Sequence, residues 1–376
     1  MSMRVLALAL AMSTAVAAGA QTSATDSIVP TLPPRVPLPS EAATASVARF
    51  SFIVYGDTRG RHDGAEIQAE HELVIESMLG TIKRLANTPD AIRFVLQSGD
   101  AVQNGAIAAQ LRVSYVPLIN RLTQDGGVPY FLAVGNHDVG SGANEEARRE
   151  DGLRNYFRAN GRLIPAEGSP RRLNGYPTYA FGYGNTFFIA IDSDIPDDAT
   201  QFAWVKSQLE GLDRRRYVNV AVFFHHPPFS SGSHGGAKVE FEAATIRSKW
   251  MPLFHQHHVR MLLTGHEHLY EHWVERYKDA AGTHRLDEIV TGGGGAPLTT
   301  YTGEPDLHSY VAADPALGIT LQHLAKPSGE PGANPFHYVV VHVNGADISV
   351  EVIGVDWGKG FAPYRSSNAS LKDPTP

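Results

Sequence analysis

Six short, nearly unbroken apolar runs recur along the chain. RFSFIVYGD reaches Gly56-Asp57, AIRFVLQSGD reaches Gly99-Asp100, and PYFLAVGNHD reaches Gly135-Asn136-His137-Asp138. TFFIAIDS reaches Asp192, VNVAVFFHHPP reaches His225-His226, and VRMLLTGHEH reaches His266 and His268. Their β-branched and aromatic content, apolar at both parities, predicts strands covered on both faces. Helical spacing lies between them. Ile67, Val74, Met78, Ile82 and Leu85 mark one apolar face, and Ile107, Leu111, Tyr115, Leu118 and Leu122 a second. Phe202, Val205, Leu209 and Leu212 mark a third, with Thr200 as its N-cap. Strands alternating with helices predict an α/β fold, in which ligands sit outside the carboxyl ends of the strands. Two later segments differ. EIVTGGGGAP is a strand running into a glycine-rich turn, and HYVVVHVNGADISVEVIGVD is a hairpin around Asn344-Gly345. Together they predict a second, more antiparallel sheet.

With 376 residues, 43% of them hydrophobic, the chain can bury a large core in one big domain or two small ones. A formal net charge of -7 argues against general nucleic-acid or anionic-membrane binding, so an anionic substrate needs a local positive site such as a metal. Cysteine is absent, which removes disulfides and thiolate ligands and leaves His, Asp, Asn and Glu to hold any metal. The opening MSMRVLALALAMSTAVAAGA carries Arg4, a short apolar run and Ala18-Gly19-Ala20, and reads as a signal peptide over residues 1–20. That predicts a periplasmic or secreted protein. Residues 21–48, rich in Pro, Ser and Thr, read as an extended linker, disordered or laid over the surface; 49–356 as the catalytic domain; and 357–376 as a tail. No later stretch is long enough to span a bilayer, so no transmembrane anchor is expected after cleavage, and no protein partner is legible. Gly292–Gly295 lacks the lysine-serine of a phosphate loop and reads as a tight turn bringing backbone close to the site.

Singly, GNHD or GHEH is weak evidence, since Asn and His are ordinary turn residues. Jointly, Asp57, Asp100, Asn136, His225, His266 and His268 each follow a strand and each is of metal-ligand type. This ordered set resembles the calcineurin-like metallophosphoesterase superfamily, which includes purple acid phosphatases and many phosphodiesterases, over Phe50 to about Asp356. The resemblance implies a four-layer α/β/β/α sandwich of two mixed β-sheets flanked by helices. It implies two divalent or trivalent metal ions, Fe, Mn or Zn. Asp57 and His268 are implied as ligands of the first, Asn136, His225 and His266 of the second, and Asp100 as the bridge. His137 matches the histidine that touches the phosphate or aids the leaving group. The residue types suit the chemistry. Two metals about 3.5–4 Å apart can clamp phosphoryl oxygens and bring a bridging water toward neutral pKa. Oxygen and imidazole donors do not choose among the three metals.

Two departures stand out. The superfamily's first motif usually reads Asp-x-His, but here it reads Asp57-Thr58-Arg59, and arginine cannot deprotonate to ligate a metal. Purple acid phosphatases supply a tyrosine three residues after the bridging Asp; here that residue is Gln103. The first metal is left with Asp57, Asp100 and His268, helped by Gln103 or water, and Arg59 is free to face phosphate oxygens. His234 lies nine residues past His225 and is similarly placed to a substrate-side histidine of tartrate-resistant acid phosphatases. His226 is expected behind the ligands. His62, His71, His255, His257, His258 and His272 are expected on the surface or in packing, and VGSGANEEARREDG as a mobile loop whose arginines reach an anionic substrate. The resulting expectation is an exported binuclear-metal phosphoesterase hydrolysing phosphate monoesters or diesters of a small substrate through a metal-bridging hydroxide. The alternatives are a non-catalytic extracytoplasmic metal-binding protein and a nucleotide or lipid pyrophosphatase using the same site.

Overall fold

A computed structural model describes residues 27–140, 146–236, 238–356 and 360–363; the expected signal peptide and most of the C-terminal tail lie outside them. The strands are β1 (Arg49–Tyr55), β2 (Ile92–Gln97), β3 (Tyr130–Leu132), β4 (Tyr179–Tyr183), β5 (Thr186–Ala190), β6 (Asn219–Phe223) and β7 (Met261–Thr264). They continue with β8 (Tyr270–Asp279), β9 (Gly282–Thr291), β10 (Thr320–Ala325), β11 (Phe336–Asn344), β12 (Asp347–Asp356) and β13 (Gly360–Pro363). A six-stranded sheet runs β13-β12-β11-β1-β2-β3 and a seven-stranded sheet runs β10-β8-β9-β7-β6-β5-β4. Both are mixed. β1, β2 and β3 are parallel, as are β5, β6, β7 and β9, while the hairpins pair antiparallel.

Alternation along the strands sends one set of side chains between the sheets and the other toward helices. Phe50, Phe52, Phe94 and Phe131 of the first sheet meet Phe181, Tyr183 and Phe188 of the second, with Phe94 and Phe188 edge to face at 5.1 Å and Phe131 stacked on Phe181 at 4.2 Å. On the outer face of the first sheet, helix Ala69–Leu85 packs Val74 and Met78 and bonds Tyr338 Oη through Ser77 and Thr81. Outside the second sheet, Val205, Leu209, Ile246, Trp250 and Phe254 cover Val220, Val222 and Leu262. This is the expected α/β/β/α sandwich. Phe94 contacts six aromatic rings from both sheets. Phe94→Ala should therefore cost about 3–5 kcal/mol by chemical denaturation; a loss below about 1 kcal/mol would mean that the layer collapses to refill the space.

Several expectations are corrected. The Asn344-Gly345 hairpin is real, with Gly345 at φ 68, but it does not belong to a separate sheet. β11 pairs antiparallel with β1 and so extends the sheet that carries Asp57 and Asp100. The third helix, Ala199–Glu210, is capped by Asp198, whose carboxylate accepts from Gln201 N at 2.6 Å, not by Thr200. Ile67 and Ile107 precede their helices and are exposed. Glu146–Asn160, expected as part of a mobile loop, is a helix. Arg148 donates to the His137 carbonyl at 3.2 Å and Arg149 pairs with buried Asp192, so both serve structure. Residues 27–48 lie along the domain: Thr31 N donates to Ala159 O, and Glu41 accepts from Arg171 and Tyr217.

Candidate metal centre

The carboxyl ends of β1, β2 and β3 in one sheet and of β6 and β7 in the other meet at one edge of the sandwich, and each brings a predicted ligand. Asp57, Asp100 and His225 place ligand atoms within 4.8 Å of one another, all buried. Asp57, Asp100 and His266 adopt left-handed backbone at φ 56, 53 and 71. Strained non-glycine residues of this kind persist where the surroundings over-determine them, at a cost of about 1–3 kcal/mol each. The glycines before the ligands have a local reason. A Cβ on Gly135 would come 2.5 Å from Asp100 Oδ1, and one on Gly265 would come 2.5 Å from Asp57 Oδ2. The glycine-rich turn closes the site from behind, with Gly294 N bonded to Gly56 O at 2.9 Å and Ala296 N to Asp57 O at 2.8 Å.

Hydrogen-bond accounting decides what the site wants. His225 Nδ1 donates to the Ser98 carbonyl at 3.0 Å, and His266 Nε2 donates to Glu240 at 2.8 Å. Each bond fixes a tautomer and leaves the opposite nitrogen as a lone pair. Those lone pairs, His225 Nε2 and His266 Nδ1, face each other at 3.0 Å, and Asn136 Oδ1 lies 3.0 Å from the same His225 Nε2. Asp100 Oδ1 stands 3.3 Å away. Burial pushes the His225 pKa down, against the pull of Asp100 and Asp57, so a proton is not the natural occupant. Four electron-rich atoms converging without a proton call for a cation. The second metal position therefore fits the residues present.

The first position is built differently. His268 Nδ1 donates to Pro297 O at 2.7 Å and turns Nε2 toward Asp57 Oδ1 at 3.5 Å. Asp57 Oδ2 accepts from His266 N at 2.9 Å, while Asp57 Oδ1 is buried and has no hydrogen-bond partner. Arg59 enters among these donors: Nε lies 3.3 Å from Asp100 Oδ2, Nη2 3.4 Å from His268 Nε2, and Nη1 2.8 Å from Gln103 Oε1. Burial opposes ionisation of Asp100, but its surroundings, the Arg59 guanidinium and the His137 backbone N–H among them, hold its carboxyl well below the usual range. Gln103, a predicted ligand, thus turns its oxygen to Arg59.

Residues 51–270 match the sequence pattern of the calcineurin-like phosphoesterases. The chain belongs to the calcineurin-like phosphoesterase family. The family works with divalent metal ions, in keeping with the converging lone pairs. The chain is 28% identical over 160 residues to an uncharacterized Mycobacterium tuberculosis protein, a match covering 38% of this chain and 27% of that one. It is 28% identical over 146 residues to Arabidopsis thaliana purple acid phosphatase 23, covering 38% and 29%. The chain thus spans less than a third of the length of these relatives. In fold it is similar to the purple acid phosphatase PPD1 of yellow lupin, with TM-score 0.59 and 18% identity over 88% of this chain and 57% of that one.

Of the other predicted residues, His137 sits at the mouth. Its backbone N donates to Asp100 Oδ1 at 2.9 Å, its Nδ1 to Gln103 O at 2.8 Å, and its Nε2 stands 3.9 Å from Asp100 Oδ2. His226 bonds Ser193 Oγ through Nδ1 at 3.0 Å, and its ring lies 4.5 Å from that of His266. His234 is half exposed, with its ring 4.5 Å from that of His266.

Three acidic residues were missed. Glu240 joins His266 Nε2 to His234 Nδ1, at 2.8 and 2.9 Å, and these two bonds outweigh burial to hold its carboxyl well down. Glu267, fully buried, accepts from the backbone N–H groups of Ser233, His234 and Gly235 and so fixes the loop bearing His234. Strand alternation could not place it, because residues 266–269 form a bend after β7 with His266 in left-handed backbone. Asp63 accepts from Gly60 N and Gln103 N, clamping the loops that carry Arg59 and Gln103. Glu240 carried no sequence signal. Carboxylates behind ligating histidines raise ligand basicity. Glu240→Gln should weaken metal binding by about 10–100-fold in a chelator competition, whereas unchanged affinity would reduce Glu240 to a loop fastener.

Proposed function

We propose that this chain hydrolyses phosphate monoesters or diesters of a small substrate at the metal centre formed by Asp57, Asp100, Asn136, His225, His266 and His268. The observation that carries the reading is the convergence of His225 Nε2, His266 Nδ1 and Asn136 Oδ1 with both imidazole protons directed elsewhere. A metal held there by Asn136, His225, His266 and Asp100 supplies Lewis-acid polarisation and a nucleophilic water near neutral pH. The neighbouring group of Asp57, Asp100 and His268 sets further charge beside that metal, with the Arg59 guanidinium against it.

The remaining work falls to the chain's own side chains. Arg59 sets a guanidinium at the rim, where charge develops on the phosphoryl oxygens. His137, with Nδ1 tied to a carbonyl, presents Nε2 to the mouth and can pass a proton to the leaving oxygen. His234, tied by Nδ1 to Glu240, presents its other nitrogen from the opposite side. Among the described residues no helix is long and apolar enough to cross a membrane. The N-terminal MSMRVLALALAMSTAVAAGA supports export to the periplasm or medium. N-terminal sequencing of the mature protein checks that point.

The function is tested with chelator-stripped protein, restored with Mn, Zn or Fe and assayed on p-nitrophenyl phosphate, bis-p-nitrophenyl phosphate and a nucleoside pyrophosphate. Hydrolysis of a mono- or diester only after metal return is the expected result. A fully metallated protein inert on every ester would overturn it.

A further inference from the structure

We propose that the Arg59 guanidinium is itself the resident cation of the first position, so that the chain carries one exchangeable metal, at Asn136, His225 and His266, rather than two. This rests on the metal-centre reading above. The three Arg59 nitrogens address three separate groups, Asp100 Oδ2 at 3.3 Å, His268 Nε2 at 3.4 Å and Gln103 Oε1 at 2.8 Å. These are the donors that a first metal would draw on, together with Asp57. The His268 Nδ1 proton goes to Pro297 O, so Nε2 is the atom turned into the site. That atom faces Asp57 Oδ1 at 3.5 Å, with the guanidinium beside both.

The arginine is held rather than passing through. Thr58 N and Arg59 N both donate to Asp100 O, and Asp63 ties the backbones of Gly60 and Gln103 together. A planar fork satisfied at three points loses little by staying, and it stays charged at every working pH. A dication placed among the same donors would lie against that guanidinium and be repelled by it. Asp57 Oδ1 bears the cost, buried and without a hydrogen bond. That oxygen is also what would recruit a second metal once Arg59 is gone.

The test compares wild type with Arg59→His and Arg59→Met, each saturated with Mn(II), desalted and measured for metal per chain, with thermal melts confirming that all three fold. The expected ratio is about one in wild type and about two in the variants, as in two-metal sites of this chemistry. EPR should show an isolated Mn(II) in wild type and an exchange-coupled pair in Arg59→His. The methionine variant keeps the test valid if the histidine variant misfolds. About two metals in wild type would overturn the assignment of Arg59 while leaving the metal centre standing. Metal absent from all three proteins would overturn the metal-centre reading and this inference with it.

Discussion

Asp100→Ala should reduce turnover by about 10³-fold or more, on the order of 4 kcal/mol of transition-state stabilisation, and should lower bound metal with it. The size follows from how much charge converges on this carboxylate. Asp100 is 1% exposed, and its two oxygens address the His137 backbone N–H, His225 and Arg59. Removing it leaves the second metal position without its only carboxylate among the four converging atoms and takes from partly buried Arg59 its ion-pair partner among the described residues. Alanine is also poor at the left-handed φ of 53, so Asp100→Asn is the cleaner companion. Asparagine tolerates that backbone and keeps the side-chain shape while losing the charge. Both variants should be measured for kcat and for metal per chain. Normal metal and normal turnover in the asparagine variant would sink the assignment.

His137→Ala should lower kcat by about 10²–10⁴-fold, the usual worth of acid–base assistance, while most metal stays bound. The separation is built into the geometry. The bond that His137 makes to Asp100 Oδ1 comes from its backbone N–H, which alanine retains. Its side chain touches the Gln103 carbonyl and reaches the mouth of the site, but none of the converging lone pairs behind Asn136. A variant losing metal in parallel with rate would make His137 part of the metal's support instead.

Much of this site was legible because parallel strands bring their carboxyl ends to a common edge, so an apolar run followed by a ligand-type residue is a positional statement. Asp57, Asp100, Asn136, His225, His266 and His268 were found that way, and the fold places them together. Sheet membership was not legible. β11 and β12 show hairpin alternation, but whether they close a second sheet or extend the first depends on pairing with β1, some 290 residues away in sequence terms of Ser51 and His342. Helix caps misled for a local reason: Asp198 and Thr200 are both capping residues two positions apart, and the aspartate won by bonding Gln201 N. Glu240 stayed invisible because its meaning comes only from His266 and His234 folding onto it. Arg59 was recognised as a departure, yet its engagement with Asp100, His268 and Gln103 required three loops to be placed at once.

The central claim is that Asn136, His225, His266 and Asp100 bind a catalytic metal. Anomalous diffraction from crystals equilibrated with Mn(II) or Zn(II), collected above the metal absorption edge, tests it directly. The account predicts a strong peak within coordination distance of His225 Nε2, His266 Nδ1 and Asn136 Oδ1, at about 2.0–2.2 Å from the imidazole nitrogens for zinc. A fully soaked crystal with no peak among those atoms would contradict it.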